Sequence, residues 1–208
     1  DENGKVKENY NIVGFTKDIK INFLKKENLE KIDFIFDFKK DEYLFKDASF
    51  LINKQKVSLP NLSAKKIKNQ FYIDGNFDNK NFELDPDIFK RFKILGDFQT
   101  HLEKINFNSK NRFSFILNRN YKIKNFVLES DIVLNKLFLK NKLIIKKFFP
   151  DVKEKIEFLN HRIKISYKKN NIKIEGSGDV FAQDSKDIIK YSIKNQNGIF
   201  TFNSSLEI

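Results

Sequence analysis

Residues Arg162 to Ile208, RIKISYKKNNIKIEGSGDVFAQDSKDIIKYSIKNQNGIFTFNSSLEI, decide the fold. Ile163, Ile165 and Tyr167 alternate with Lys164, Ser166 and Lys168, and after Lys169-Asn170-Asn171 the pair Ile172 and Ile174 alternates with Lys173 and Glu175. Gly176-Ser177-Gly178 reads as a tight turn that breaks the pattern. Ile189, Tyr191 and Ile193 then alternate with Lys190, Ser192 and Lys194, and Asn195 to Gly198 turns the chain into Phe200, Phe202, Leu206 and Ile208. Successive side chains on a pleat point to opposite faces, so period-two alternation bounded by Asn and Gly clusters predicts antiparallel strands joined by hairpins. The result is a sheet with one apolar and one wet face.

The same rhythm extends upstream. Ile19, Ile21 and Phe23 begin it, and after Lys25 to Asn28 it returns in Ile32, Phe34, Phe36 and Phe38 against Asp33, Asp37 and Lys39. Tyr43 to Asn53 and Val57 to Leu62 read as shorter strands, with Pro60 marking an edge or turn. Ile67, Phe71 and Ile73 lead to Asp74-Gly75, a hairpin signal, before Phe77. Phe113, Phe115 and Leu117 carry a strand over Arg112 to Leu117, followed by further strands from Tyr121 to Phe149. Two segments differ. Asp85-Pro86 offers an N-cap and a first-turn proline, Gly96 a stop, and Ile88, Phe89, Phe92 and Leu95 one stripe, which predicts a short helix over about 86–95. Val152 to Leu159 reads as a second short helix or an irregular strand.

Residues 1–12 are polar and aperiodic, an entering connector, and no linker divides the rest, so 1–208 reads as one continuous element. The segments starting at Ile67, Ile123 and Ile172 share a skeleton at a spacing of about fifty residues, which suggests an array of several strands per unit.

The 208 residues carry a net charge of +12, which raises the question of a polyanionic partner. Only four of the 40 basic residues are arginine, whereas recognition of phosphates and base edges leans on the guanidinium fork. Lys, Asn, Ile and Phe, abundant together here, all have A/T-rich codons, so base composition accounts for much of the charge and no nucleic-acid partner is expected. The chain has no cysteine, which excludes disulfides, thiolate nucleophiles and cysteine-based zinc sites. It begins without methionine, as expected of a segment of something longer, and no apolar run approaches a membrane-spanning helix.

No catalytic constellation emerges. His101 and His161 stand alone, without carboxylate or second-histidine spacing, and read as surface or edge histidines. Gly176-Ser177-Gly178 lacks the Lys-Ser/Thr ending of a phosphate loop. Asp33/Asp37 and Glu154/Glu157 sit on wet faces as solvated carboxylates. Neither enzyme activity nor a cofactor is expected.

Phenylalanine is the unusual signal, with 24 Phe against six Tyr and no Trp. Each Phe fully buried is worth roughly 1.5–3 kcal/mol. Two such faces could meet as a sandwich core, or one sheet could curl into a trough whose lining stays open to hydrocarbon chains.

Ile172 to Val180, Asp187 to Ile193 and Gly198 to Ile208, with Phe113 to Leu117, Ile123 to Ser130 and Asp131 to Leu137 before them, resemble the repeated units of the AsmA-like superfamily, in its YhdP and TamB branch. The likeness spans roughly residues 60–208 and lies in a rhythm of short strands with Gly-x-Gly turns. It implies a mainly β fold, a strongly twisted or curled antiparallel sheet forming a β-groove in the Gram-negative envelope. It further implies an inner-membrane anchor outside this segment, a periplasmic location and phospholipid acyl chains as cargo. On that reading the groove is lined by Phe34, Phe36, Phe71, Ile73, Phe113, Phe115, Leu117, Ile163, Ile165, Tyr167, Ile172, Ile174, Ile189, Tyr191, Ile193, Phe200 and Phe202. Lys at the rim would attract anionic headgroups. The rivals are an outer-membrane β-barrel fragment, disfavoured by absent Trp, scarce Tyr and short strands, and a β-sandwich adhesin or scaffold.

Overall fold

The computed structural model describes residues 9–23, 27–52, 54–84, 102–140, 151–196 and 198–207. Eleven strands fill them: β1 (Asn11–Phe23), β2 (Glu27–Lys39), β3 (Glu42–Ile52), β4 (Gln55–Ile67), β5 (Gln70–Leu84), β6 (Leu102–Leu117), β7 (Ile123–Lys140), β8 (Lys155–Lys168), β9 (Asn171–Phe181), β10 (Asp187–Gln196) and β11 (Ile199–Glu207). They form one sheet whose spatial order is the chain order, each strand hydrogen-bonded to its sequence neighbours. Among the described residues no pairing joins β1 to β11, so the sheet they form is open. This is the meander that hairpin-linked alternation predicts: β2–β3, β3–β4, β4–β5, β8–β9 and β10–β11 are joined by two residues each, which leaves the next strand no place but beside the last.

The β8–β9 turn behaves as read: Lys169 and Asn170 take positive φ of 49° and 63°, the left-handed pair a type I′ hairpin requires. Gly198, at φ 87°, leads into β11. Elsewhere the expectations change. The helix expected over 86–95 and the strand expected over Lys142 to Phe149 lie outside the described residues, and no helix occurs among the described ones. Val152 to Leu159 is not a helix, since β8 begins at Lys155 and continues through Leu159. Asn11 and Ile12, placed in the connector, open β1.

The strands are also longer than the sequence suggests, from nine residues in β11 to 18 in β7. Their alternation is interrupted by left-handed residues inside strands, among them Asp18, Lys31, Asp47, Asn81, Asn125 and Asn160. Each inserts a kink and shifts the phase of the pattern, so one long bulged strand reads as two short ones. Pro60 is inside β4, a strand with a neighbour on each side, where the β4–β5 register slips between Ser58 and Asn61; a bulge tolerates the missing N–H.

The chain clusters into two compact units. The first comprises Asp1–Asn79, Lys110–Glu129 and Tyr167–Lys169; the second comprises Lys80–Ser109, Ser130–Ser166 and Asn170–Ile208. Among the described residues the buried apolar side chains are few: Ile32 and Val57 in the first unit, Ile105, Leu134, Leu139, Val152 and Val180 in the second. All described strands belong to one sheet, which supplies no second layer to bury more.

Candidate hydrophobic face

In the first unit the register sets Gly14 opposite Phe36, Phe36 opposite Phe45, Phe45 opposite Leu62 and Leu62 opposite Gly75. Directly opposed residues share a face, so one row crosses five strands. Rings follow it at centroid separations of 6.2 Å for Phe34–Phe36, 4.8 Å for Phe36–Phe38, 5.2 Å for Phe38–Phe45 and 6.1 Å for Tyr43–Phe71. A second string runs Phe77–Phe113, Phe113–Phe115, Phe115–Phe126 and Phe126–Tyr167, at 6.0, 6.1, 6.4 and 5.8 Å. Tilted and edge-on rings at these spacings add roughly 0.5–1.5 kcal/mol per pair beyond burial.

The second unit repeats the arrangement with aliphatic residues. Gly178, Ile189 and Leu206 form one row, Gly176, Tyr191 and Ser204 the next, Ile174, Ile193 and Phe202 a third, and Ile172, Asn195 and Phe200 a fourth. Within β8, Ile163 and Ile165 keep the phase of His161, whose ring stands over Gly178.

Within each unit, therefore, the residues expected to line a groove lie along strands whose apolar side chains share a face. Of the seventeen, none is buried. Fifteen are half-buried, and Phe200 and Phe202, on the edge strand β11, are 70% and 62% exposed. A sandwich core would bury them; a single open sheet leaves one side of each ring uncovered.

Glycines set the contour of this face, and here the turn readings fail. Asp74-Gly75 is within β5 and Gly176-Ser177-Gly178 within β9. A Cβ at Gly75 would meet the Asn61 carbonyl at 2.9 Å and the Phe113 ring at 3.0 Å. At Gly176 it would meet the Tyr191 ring at 2.4 Å, at Gly178 the His161 ring at 2.4 Å, and at Gly14 the Phe36 ring at 2.5 Å. Each glycine leaves a slot that a ring from the neighbouring strand reaches into, over backbone that has no side chain of its own.

His161 is the largest correction. Expected at a surface or edge, it is 1% exposed. Its Nε2 lies 3.0 Å from the Asp179 carbonyl oxygen, which can only accept, so Nε2 carries the proton. Nδ1 faces the Tyr191 hydroxyl at 3.4 Å as acceptor, and Phe158 meets the ring edge-on at 5.6 Å. Burial pushes the imidazole below its ordinary pKa and the Tyr191 phenol up to about 12. The ring is a neutral filler for the Gly178 slot. His101 lies outside the described residues.

The opposite face carries the charge. In the first unit Lys65 meets Glu42 at 2.7 Å, and Ser63 Oγ donates to Asp74 at 2.7 Å. Asp33, read as solvated, accepts the Asp18 amide at 2.8 Å and so holds the β1 kink. In the second unit Lys155 and Lys140 hold Glu103 at 2.6 and 3.0 Å, and their hydrogen bonds keep its carboxyl below the usual range. Asn135 donates to Asn106 at 2.7 Å and Asn108 to Asn135 at 3.1 Å, an amide ladder between β6 and β7. Among the described residues no cluster of three His, Asp or Glu could hold a metal ion.

The described residues thus define a class: an open, single-sheet antiparallel β protein with, in each unit, an apolar face and a lysine-rich reverse. Comparison with protein-family models, curated proteins and solved structures finds no match to this chain.

Proposed function

We propose that this chain is a non-enzymatic segment of an AsmA-like envelope protein, whose apolar face carries phospholipid acyl chains between the inner and outer membranes. The observation that carries the reading is the state of the seventeen lining residues. They share faces, unit by unit, yet none is buried, so among the described residues folding leaves hydrocarbon-compatible surface partly uncovered. Water at half-exposed Phe and Ile costs roughly 25 cal/mol per Å², which an acyl chain laid along the strands recovers. A strand of nine or more residues spans about 30 Å at the usual rise, enough for an acyl tail. Lysines on the reverse keep the sheet in water, and those near strand ends attract anionic headgroups. The likeness of Ile172–Val180 and Gly198–Ile208 to the AsmA-like units supports the same assignment, with a periplasmic location and a membrane anchor elsewhere in the protein.

The test is organic extraction and native mass spectrometry of the purified chain, alongside uptake of fluorescent phospholipid from vesicles. The expected outcome is co-purified phospholipid, reduced in a Phe36→Glu/Phe115→Glu variant and unchanged in Lys65→Gln. A wild-type chain that emerges lipid-free and takes up none sinks the proposal.

A further inference from the structure

In an antiparallel meander successive turns alternate between the two ends of the sheet. The β2–β3, β4–β5, β6–β7 and β8–β9 turns therefore share one end, and the first unit holds all of them up to Lys169. There the Lys66 amide donates to the Asp41 carbonyl at 2.7 Å, and the ring contacts Tyr43–Phe71 and Phe126–Tyr167 tie neighbouring turns together. Charge is sorted at this end. The β2–β3 turn is balanced, with Lys39 and Lys40 against Asp41 and Glu42. The other three are not: 65–70 carries Lys65, Lys66 and Lys68, 117–124 carries Arg119, Lys122 and Lys124, and 167–169 carries Lys168 and Lys169, with no carboxylate in any of them. Base composition makes lysine common, but it does not keep aspartate out of turns, where aspartate is ordinarily favoured. In the same unit Asp33, Asp47, Asp74 and Asp78 all lie within strands.

The β6–β7 tip adds apolar surface to the charge. Asn118 Oδ1 accepts the Asn120 and Lys122 amides at 3.0 and 2.9 Å, and the Tyr121 amide donates to the Asn118 carbonyl at 2.9 Å. This closed turn holds Tyr121 at a left-handed φ of 55°, uncommon for so bulky a residue, and leaves it 80% exposed. Ile123 beside it is 60% exposed.

We infer that this end of the first unit docks on the surface of an anionic phospholipid bilayer, with Tyr121 and Ile123 at the headgroup boundary and the turn lysines over anionic headgroups. Tyrosine is an interfacial residue, and binding at a bilayer surface grows with buried apolar area and with attraction between Lys or Arg and anionic lipid. Seven of the eight cations in the three unbalanced turns are lysine, point charges suited to a diffuse lipid field. Nucleic-acid phosphates and base edges call instead for the guanidinium fork, which Arg119 alone offers here. The inference concerns where the molecule meets a bilayer, and it stands whether or not the apolar face carries acyl chains.

The test is cosedimentation of the 208-residue chain with vesicles of phosphatidylcholine alone, or of phosphatidylcholine and phosphatidylglycerol in equal parts. Partition onto the anionic vesicles is expected, with little onto the neutral ones and a steep fall as salt rises. Lys122→Gln/Lys124→Gln is expected to lower that partition about tenfold or more, whereas Lys54→Gln/Lys56→Gln, the same charge loss at the opposite end of the unit, changes it less than about threefold. The chain has no tryptophan, so Tyr121→Trp reports on the tip with every charge in place, and its emission is expected to shift to the blue on anionic vesicles. No partition onto anionic vesicles, equal partition onto neutral ones, equal losses in the two lysine pairs, or a Tyr121→Trp emission that stays water-like in bound chain overturns the inference. Tighter binding to duplex DNA than to the anionic vesicles overturns it as well. Uptake of fluorescent phospholipid is a separate readout: a chain that docks without taking up lipid contradicts the acyl-chain reading alone, and one that takes up lipid without this lysine dependence contradicts docking alone.

Discussion

At the scale of single residues, four glycines and one histidine carry more of the structure than their sequence context reveals. Gly176-Ser177-Gly178 and Asp74-Gly75 look like turns because glycine is the usual supplier of unusual backbone angles. Here the requirement is space, set by rings 15 to 38 positions away in sequence, such as Tyr191 over Gly176 and Phe113 over Gly75. No local pattern announces that. Gly178→Ala is expected to cost about 1–3 kcal/mol, because the new Cβ meets the His161 backbone, at 2.6 Å from its Cα, as well as its ring. Gly176→Ala is expected to cost less, since it meets only the far end of the Tyr191 side chain. Thermal denaturation orders the two, and equal melting temperatures would refute the slot.

His161 was unreadable for the same reason: a lone histidine among Lys and Asn looks solvated until β9 supplies Gly178 beneath it. Its pKa gives a signed prediction. In the unfolded chain the imidazole titrates near 6.5, and burial lowers it in the fold. Between those values the unfolded state holds a proton that the folded state refuses. The stabilising contribution is therefore fully present above 6.5 and is lost as pH falls through the lowered value. Urea unfolding at about pH 7.5 and pH 5 should show a smaller loss of stability in His161→Phe than in the parent. Carboxylates contribute equally to both proteins, so identical losses would mean that His161 titrates as a solvated group.

At the scale of elements, strand existence and antiparallel pairing were legible, while strand length was not. The alternation of Phe34, Phe36 and Phe38, and of Ile189, Tyr191 and Ile193, survives intact, because those runs contain no left-handed residue. Where Asp47, Asn125 or Asn160 interrupts, the phase is lost, and a long strand reads as a short one. The same faces make unequal demands on packing. Phe113 touches Phe77 and Phe115 and fills the Gly75 slot, so Phe113→Ala is expected to cost about 2 kcal/mol, or roughly 4–8 °C in melting temperature. Phe15 is 76% exposed, and Phe15→Ala is expected to stay within about 0.5 kcal/mol of the parent. Similar losses at both positions would mean that ring count, and not location on the shared face, sets stability.

At the scale of the whole molecule, the decisive quantity is surface. The chain exposes 15293 Å² at 24.7 kDa, against about 10,000 Å² for an ordinary globular monomer of that mass. Among the described residues a single sheet, in which half-buried rings replace a buried core, contributes to the excess. The excess was beyond reading from composition, because a 40% apolar chain supplies enough hydrophobic side chains for either a sealed or an open architecture. It has a measurable consequence. The slope of unfolding free energy with urea follows the area newly exposed on unfolding, and a fold that already exposes this much has about four-fifths as much left to expose. The urea slope of the lipid-free chain is therefore expected to fall about a fifth below that of a globular protein of equal length. Phospholipid bound to the folded state should move the midpoint upward, through the linkage that stabilises whatever state binds the ligand. A lipid-free slope at the globular value, unmoved by protein concentration, would mean that the aromatic face is covered by the chain itself in solution, which removes the surface on which acyl chains are proposed to lie.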